Sequence, residues 1–380
     1  MPIEHPDPIW VRDNKTLAQL SSQWLELDAI ALDSEFIRTD TFYPIPGLIQ
    51  LGTGDSVYLI DPLGINDWTP FAEILTRRSL VKVLHACSED LEVFHILTGV
   101  KPVSLVDTQL AAAYTGLGHS MGYQNMLKTL LEVDLPKDVT RSNWLQRPLS
   151  DAQISYATLD VVHLLEAWML MYQELAQNPR FHWLMEDCQK MTAAPLLPEP
   201  EEVWKDVKRA WQLRPEQRAV LQQVCEYRER EARRRNIPRN RVIPKATLWP
   251  IARYLPDNIK SLSSMPDMNH KILKHDGEKI LALIASAQTL PEAECPAPLP
   301  APLPKAAKDY GKFIKAYVQD KAEELNIPVE LLLPAKMTSP ILRKWLEKGV
   351  FTLPESLNGW RREVIGTPLI QALKELERNN

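Results

Sequence analysis

Two acidic residues at the end of an apolar run form the first group in this sequence that could do chemistry. Asp33 and Glu35 close the segment 28–36, which has the composition of a buried strand. Side chains alternate between the two faces of a strand, so both carboxylates are predicted to lie on one face. Carboxylates grouped at a strand end can bind divalent cations. A single Asp-x-Glu pair is also common in turns and helix caps, so the pair alone does not establish a site.

Two further motifs place acidic residues at defined positions in predicted helices. Asp90 follows an apolar run and a candidate N-cap, Ser88, which places it at a helix start. Tyr156 and Asp160 are four residues apart, a spacing that puts both side chains on one helix face. Considered alone, Asp90 could be an acidic residue that merely interacts favourably with the helix dipole. Tyr156 and Asp160 alone could be a half-exposed tyrosine beside a solvated acid. Asp107 is better interpreted as the cap of the next helix.

The first 190 residues alternate short β-rich runs with helical patterns. The connections between the first three strands are too short for helices, which predicts antiparallel hairpins. Later strands alternate with helices, as in parallel crossovers. The pattern therefore predicts an α/β domain with a mixed sheet. The predicted strands are 28–36, 47–52, 56–60 and 80–85, and the predicted helices lie near 14–25, 67–78, 89–98, 107–115, 122–131 and 150–176.

Two proline-rich segments, 195–200 and 291–304, divide the rest of the chain. The parts that they separate contain a repeat with an offset of 90 residues, in which Asn236-Ile237-Pro238 recurs as Asn326-Ile327-Pro328. Each copy follows a charged helical pattern, so we infer a tandem duplication of one helical domain. The predicted domains are 1–194, 205–290 and 305–380.

The charge is unevenly divided along the chain. Residues 1–190 hold 13 Lys and Arg against 25 Asp and Glu, a net charge of −12, whereas residues 191–380 hold 31 against 24, a net charge of +7. Segment 228–241 contains seven Arg and two Glu, and it could bind phosphates or be a solvated helix with i, i+4 ion pairs. The candidate phosphate-binding residues are Arg233, Arg234, Arg235, Arg239 and Arg241.

In combination, these motifs resemble the DEDD exonucleases of the ribonuclease D family, in the subclass whose last motif is Tyr-x-x-x-Asp. The duplicated helical unit is similar to the HRDC domain. The resemblance implies a ribonuclease H-like α/β domain with a mixed sheet, followed by two all-α HRDC-like domains. Its catalytic residues would be Asp33, Glu35, Asp90, Tyr156 and Asp160. Further matching segments are 106–114, Trp144, Arg147-Pro148-Leu149 and 153–157.

The resemblance also predicts the chemistry. Crowded carboxylates repel one another unless cations intervene, and oxygen ligands suit Mg²⁺ or Mn²⁺. We expect two ions about 4 Å apart, held by Asp33, Glu35, Asp90 and Asp160, across one phosphorus. Tyr156 would orient or deprotonate the attacking water. The product would be a nucleoside 5′-monophosphate, and the expected substrates are transfer-RNA precursors and other small structured RNAs.

Composition indicates the class of protein, and two alternative functions stay open. The 45% hydrophobic and 24% charged residues are typical of a soluble globular protein. No uncharged apolar run reaches about 18 residues and no secretion signal is apparent, so we expect a cytoplasmic monomer. The scattered Cys87, Cys188, Cys225 and Cys295 predict reduced thiols. A DNA exonuclease would share all the carboxylates, and a catalytically silent RNA-binding scaffold is the alternative from another class.

Overall fold

The structure is a computed structural model that describes residues 6–136 and 142–378. Within these ranges, one six-stranded sheet has the order β1-β4-β3-β2-β5-β6. The strands are β1 (Ile9–Val11), β2 (Ala29–Ile37), β3 (Ile45–Gly52), β4 (Val57–Ile60), β5 (Val81–Leu84) and β6 (Leu105–Asp107). The helices of the first part of the chain are α1 (Asn14–Trp24), α2 (Thr69–Thr76), α3 (Asp90–Thr98), α4 (Thr108–Tyr114), α5 (Tyr123–Leu131), α6 (Asp151–Val162), α7 (Leu164–Leu175) and α8 (Arg180–Ala193).

The remaining helices follow the first proline-rich segment. They are α9 (Pro215–Arg235), α10 (Lys245–Tyr254), α11 (Ile259–Ser263), α12 (His270–Gln288), α13 (Lys308–Leu325), α14 (Val329–Leu332), α15 (Thr338–Lys348) and α16 (Thr367–Arg378). No strand lies beyond Asp107 among the described residues. The all-helical second half agrees with the sequence pattern.

The sheet is mixed, as the sequence predicts. Strands β3 and β4 pair antiparallel, whereas β1 pairs with β4, β2 with β5, and β5 with β6 in parallel. Strands β1 and β6 were absent from the sequence prediction because each has only three residues, too few to show a period. Helix α8 was also not predicted. The buried residues of the central strands β2 and β3 include Ile30, Leu32, Leu48, Ile49 and Leu51.

The long helical pattern at 150–176 forms two helices instead of one. His163 separates them, as the C-cap of α6 and the N-cap of α7. The stretch Asp151–Leu175 is long and apolar enough to cross a membrane by length and composition, but 44% of its apolar window is buried inside the fold. Core helices of globular domains have the same character, so this stretch is weak evidence for a membrane span.

The chain divides into two compact units, and the boundaries at 194/195 and 302/303 coincide with the proline-rich segments. Unit 1 contains residues 1–37, 46–194 and 303–380, and unit 2 contains residues 38–45 and 195–302. Within unit 1, the Arg361 guanidinium pairs with Asp187 on α8 at 2.5 and 2.7 Å, and Trp360 stacks on Trp183 with ring centroids 4.6 Å apart. These contacts explain why residues 303–380 group with the sheet.

The two sequence repeats share their local backbone. Asn236 and Asn326 end α9 and α13 in the left-handed region, with φ of 48° and 46°. The next amide, of Ile237 or Ile327, donates to the carbonyl of Ala232 or Ala322 at 3.0 and 3.1 Å. Asparagine tolerates this conformation better than most residues. The repeated motif therefore encodes the same helix ending twice.

The four cysteines are free thiols, as predicted. Cys87, Cys188 and Cys225 are buried and Cys295 is partly buried. They serve as small packing residues.

Candidate active site

Strand β2 and helix α6 bring three acidic side chains together. Asp33 and Glu35 lie two residues apart on β2, and Asp160 lies in the last turn of α6. One carboxylate oxygen from each can be chosen so that all three lie within 4.8 Å of one another. Asp33 and Glu35 therefore lie on one face of β2, as the two-residue period of a strand predicts.

Helix α6 also carries the tyrosine of the predicted site. The helix begins with a capping box, in which the Ser150 hydroxyl accepts from the Gln153 amide and the Gln153 side chain accepts from the Ser150 amide. One turn before Asp160, the Tyr156 hydroxyl lies near the Asp160 carboxylate and lowers its pKa, against the effect of burial. The ring of Tyr156 lies 6.2 Å from that of the buried Trp144. Tyr156 and Asp160 thus share one face, as their spacing predicts.

The segment before α6 is fixed by an ion pair. The Arg147 guanidinium donates to both carboxylate oxygens of Asp61 at 2.7 and 2.6 Å and to the carbonyl of Gly47 at 2.7 Å. A Cβ atom at position 47 would lie 2.7 Å from Cβ of Trp144, so only glycine allows this approach. Bidentate arginine pairs are geometrically specific, and this one sets the path of the chain that enters α6.

Asp90 is placed by contacts that are distant in sequence. It is the first residue of α3 and is buried, and its carboxylate accepts a hydrogen bond from the Ser34 hydroxyl. The loop before α3 is held by Asp107, which accepts from the amides of Ala86 and Cys87 at 3.1 and 3.0 Å. Asp107 also caps α4, as predicted.

The prediction of Ser88 as the N-cap of α3 is wrong. Glu89 occupies the cap position, without a side-chain cap hydrogen bond. Ser88 is exposed, and the amides of Leu91 and Glu92 donate to the backbone carbonyls of Cys87 and Glu89, both at 3.1 Å. Local backbone carbonyls therefore take the amides that a side-chain cap would have bound.

The carboxylates raise one another's pKa. Burial and the charges of Asp90, Asp160 and Glu35 raise the pKa of Asp33 well above its usual range. Burial, with Asp160 and Asp90, raises the pKa of Glu35 to about 9. Burial and Asp90 raise the pKa of Asp160 to about 7, and burial raises the pKa of Asp90 to about 6. The cluster cannot be fully ionised near neutral pH without positive charge.

The donor set fits a hard divalent cation. All the candidate ligands are carboxylate oxygens, the ligand type that Mg²⁺ and Mn²⁺ prefer. The Oδ2 atom of Asp160 is buried and has no hydrogen-bond partner among the described residues, a costly state for a carboxylate oxygen. Asp90 lies outside the group of three but acts electrostatically on each of them. It could bind an ion at the edge of the group.

These pKa shifts predict that the metal-free protein loses stability as pH rises. A carboxyl whose pKa is higher in the folded state than in the unfolded state holds its proton more tightly when folded. Stability therefore falls from about pH 4, the unfolded pKa, up to the folded values near 6, 7 and 9. We expect the melting temperature in a chelator to be several degrees lower at pH 8 than at pH 5.

Added Mg²⁺ should reverse this loss at pH 8 and act weakly at pH 5. The comparison is thermal unfolding at both pH values, with and without Mg²⁺, for the wild type and for Asp33→Asn as a variant with less repulsion. Equal responses of the two proteins to pH and to Mg²⁺ would mean that the acidic cluster neither repels nor binds.

Two supporting residues were not apparent from the sequence. Ser34 lies between Asp33 and Glu35 and holds Asp90. Tyr123 donates its hydroxyl to the carbonyl of Leu159 at 3.1 Å, and the charges of Asp160 and Asp33 add to the effect of burial in raising its pKa. Neither residue has a local signal, because each partner comes from another element.

The candidate RNA-binding arginines all pair with acidic residues within unit 2. Arg233 and Arg239 both contact Glu229, which is 2% exposed. The other three are Arg235 with Asp276, Arg234 with Glu231 and Arg241 with Asp40. The predicted i, i+4 pairs Glu226–Arg230 and Glu229–Arg233 are both present. Whether these arginines contact RNA stays a prediction.

Comparisons with known proteins agree with this geometry. A 3′-5′ exonuclease family model matches residues 8–177, and the HRDC domain model matches residues 217–284. Ribonuclease D of Pseudomonas paraeruginosa is 47% identical over 370 residues, which cover 97% of this chain and 98% of that protein. Ribonuclease D of Escherichia coli is 38% identical over 96% of this chain and 98% of its own length.

A solved structure extends the match to three dimensions. The crystal structure of Escherichia coli RNase D, described as an exoribonuclease involved in structured RNA processing, superimposes with a TM-score of 0.90 at 37% identity. The match covers 97% of this chain and 99% of that chain. By full-length similarity in both sequence and structure, the chain belongs to the ribonuclease D family.

Proposed function

We propose that this chain is a metal-dependent 3′→5′ exoribonuclease that removes nucleotides from RNA 3′ ends. The observation that carries the proposal is the convergence of Asp33, Glu35 and Asp160 within 4.8 Å, beside Tyr156, in a chain of the ribonuclease D family. Hydrolysis of a phosphodiester at this site would release nucleoside 5′-monophosphates.

Each residue of the site has a distinct task in this reaction. Asp33, Glu35, Asp160 and, at the edge, Asp90 would hold two divalent ions. Bound Mg²⁺ or Mn²⁺ would lower the pKa of water and stabilise charge on the phosphoryl oxygens. Ser34 fixes the Asp90 carboxylate, so that this ligand does not have to be ordered when an ion binds.

Tyr156 would orient the attacking water. Burial and the charges of Asp160, Glu35 and Asp33 raise the pKa of its phenol, which keeps the hydroxyl protonated near neutral pH. A protonated hydroxyl beside Asp160 can both donate and accept a hydrogen bond. Orientation of water by this group therefore fits the site better than deprotonation by a phenolate.

The substrates that we propose are transfer-RNA precursors and other small structured RNAs. The support is the ribonuclease D family membership and the net charge of +7 over residues 191–380. We further propose three domains, 1–194, 205–290 and 305–380, of which the last is a second HRDC-like domain. The shared helix endings at Asn236 and Asn326 support the duplication. A cytoplasmic, monomeric enzyme is part of the same proposal.

End-labelled RNA tests the activity directly. With Mg²⁺, 5′-labelled RNA should shorten one nucleotide at a time, and 3′-labelled RNA should release labelled mononucleotide at once. Internal cleavage products would contradict the exonuclease mechanism, and faster hydrolysis of a DNA of equal sequence would favour the DNA exonuclease. Absence of products with either substrate would favour the RNA-binding scaffold.

The ion pairs in α9 divide the arginines into two groups with different expected effects. Arg235→Ala removes a partner of Asp276, which is 3% exposed, and should destabilise the protein by about 1–3 kcal/mol. Arg234 has a side chain that is 69% exposed, so Arg234→Ala should leave the melting temperature unchanged. If Arg234 contacts phosphate, its loss should weaken binding of a hairpin RNA with a 3′ tail and reduce the salt slope by about 0.9.

The measurement is RNA affinity at two salt concentrations together with thermal unfolding for both variants. Arg253→Ala, an exposed arginine of α10 in the same unit, is the charge-matched control. An Arg234→Ala protein with the wild-type salt slope would identify the arginines of α9 as structural.

A further inference from the structure

Unit 2 contains a cavity of about 680 Å³ whose lining is strongly basic. The lining includes five cationic side chains and one carboxylate, that of Asp206. The cationic residues are Arg38, Lys208, Arg228, Arg239 and Lys245. We call this space the basic cavity. It is built from the segment 38–45 and from residues of the 195–302 part, which all belong to unit 2.

One lining cation lacks an acidic hydrogen-bond partner. The half-buried Arg228 donates to the carbonyl of Ile243 at 2.5 Å and to Oδ1 of Asn240 at 2.9 Å. Both acceptors are neutral, whereas most arginines of α9 pair with carboxylates. Arg239, another cation in the lining, donates two hydrogen bonds to the Glu229 carboxylate at 2.5 and 2.8 Å. A partly desolvated cation with neutral partners favours an anion in the adjacent space.

Two exposed lysines add positive charge at the same cavity. Lys208 and Lys245 line it and are both exposed. Lys245 is the first residue of α10, so the partial positive charge of this helix N-terminus adds to the positive charge at the cavity. The backbone amide of Lys245 donates to Asn240 Oδ1 at 3.0 Å, the atom that also holds Arg228. The Asn240 side chain thus holds the Arg228 guanidinium and the backbone at the start of α10.

Aromatic rings complete the lining. Phe42 and Trp249 both line the basic cavity. Phe42 is held by its own backbone amide, which donates to Asn236 Oδ1 at 3.0 Å, and by the Arg239 guanidinium 4.5 Å from its ring centroid. The Trp249 indole donates to the carbonyl of Arg209 at 3.1 Å. Rigid aromatic rings beside cations suit a nucleotide, which has a flat base and an anionic phosphate.

We propose that the basic cavity binds one nucleotide of an RNA strand, with its phosphate at Arg228, Lys208 and Lys245 and its base against Trp249. The proposal rests on the proposed exoribonuclease function only for the identity of the ligand as RNA. The volume of the basic cavity is within the range of small-ligand sites. A space of this size accommodates a single nucleotide and excludes a duplex. The same chemistry would accept a free nucleoside monophosphate, the proposed product, so the test separates the two.

The test uses full-length protein carrying Asp33→Asn, so that bound RNA is not degraded. Binding of a fluorescent 12-nucleotide RNA is measured with Lys208→Ala/Lys245→Ala and with the control Lys274→Ala/Lys279→Ala. The control lysines are exposed on α12 and remove the same charge from the same unit. The cavity variant should lose about tenfold in affinity and at most about 0.7 in salt slope, because both lysines are assigned to the same single-stranded phosphate. The control should change the affinity by less than about twofold.

Two further arms separate the remaining outcomes. Trp249→Leu should weaken RNA binding by about tenfold, with thermal unfolding recorded to detect loss of folding. Adenosine 5′-monophosphate is added as a competitor at the same concentration as the RNA, and it should leave the RNA bound. Full displacement of the RNA would overturn the RNA proposal in favour of a mononucleotide site. Equal losses in the cavity and control lysine variants would overturn it in favour of diffuse electrostatic attraction.

Failure of the cavity proposal can be told apart from failure of the proposed activity. Hydrolysis of a short 3′-labelled RNA by the wild-type protein with Mg²⁺ is measured separately. Hydrolysis without a cavity-specific loss of RNA affinity would reject the basic cavity alone. A cavity-specific loss of RNA affinity without any hydrolysis would reject the exonuclease and keep the cavity as an RNA-binding site.

Discussion

Replacing Asp33 or Asp160 with asparagine is expected to reduce nuclease turnover by at least about a thousandfold. Each change keeps the side-chain volume but removes a charged ligand from the acidic cluster. A bound cation contributes several kcal/mol to the stabilisation of a phosphoryl transition state, and about 4 kcal/mol corresponds to roughly three orders of magnitude in rate. The measurement is steady-state turnover of a short 3′-labelled RNA across a range of Mg²⁺ concentrations.

The same variants should be more stable than the wild type in the absence of metal. Burial and the charges of Asp90, Asp160 and Glu35 raise the pKa of Asp33, and Asp160 also raises the pKa of Glu35, so loss of either charge relieves repulsion. Asp151→Asn is the matched control, since Asp151 is exposed in the first turn of the same helix as Asp160. Near-normal turnover of Asp33→Asn or Asp160→Asn at saturating Mg²⁺ would refute the assignment of these residues as ligands.

The second large effect is expected for Tyr156→Phe. The ring keeps its contact with Trp144, but the hydroxyl beside the Asp160 carboxylate is lost. A positioned acid or base accounts for roughly two to four orders of magnitude in rate, so kcat should fall by that amount with little change in RNA affinity. Single-turnover kinetics separate the two quantities.

Tyr172→Phe is the control for removal of a tyrosine hydroxyl elsewhere. Tyr172 lies partly exposed on α7 and packs on Trp168 and Phe181, so its variant should retain wild-type rates. A Tyr156→Phe protein that keeps its turnover and loses RNA affinity would show that Tyr156 packs or stacks with substrate and does not orient water.

The side chains of the site could be predicted from local spacing, but their supports could not. A period of two places Asp33 and Glu35 on one face of β2, and a spacing of four does the same for Tyr156 and Asp160 on α6. Asp90 shows the limit of this reasoning. Its position depends on Ser34, 56 residues away, and on Asp107, which holds the preceding loop. Contacts between distant residues leave no periodic pattern.

The sequence by itself determined the acidic residues, the mixed sheet, the two proline-rich boundaries and the repeated helix ending, because each depends on neighbouring residues or on composition. The tertiary structure decided which charges are free for function. Segment 228–241 holds seven Arg, and its composition alone cannot distinguish a phosphate-binding surface from a set of internal ion pairs. Folding places Glu229 and Asp276 in the interior, where burial of a charge requires a partner. Those acids take up Arg233, Arg235 and Arg239, whereas Arg228 meets only neutral oxygen acceptors.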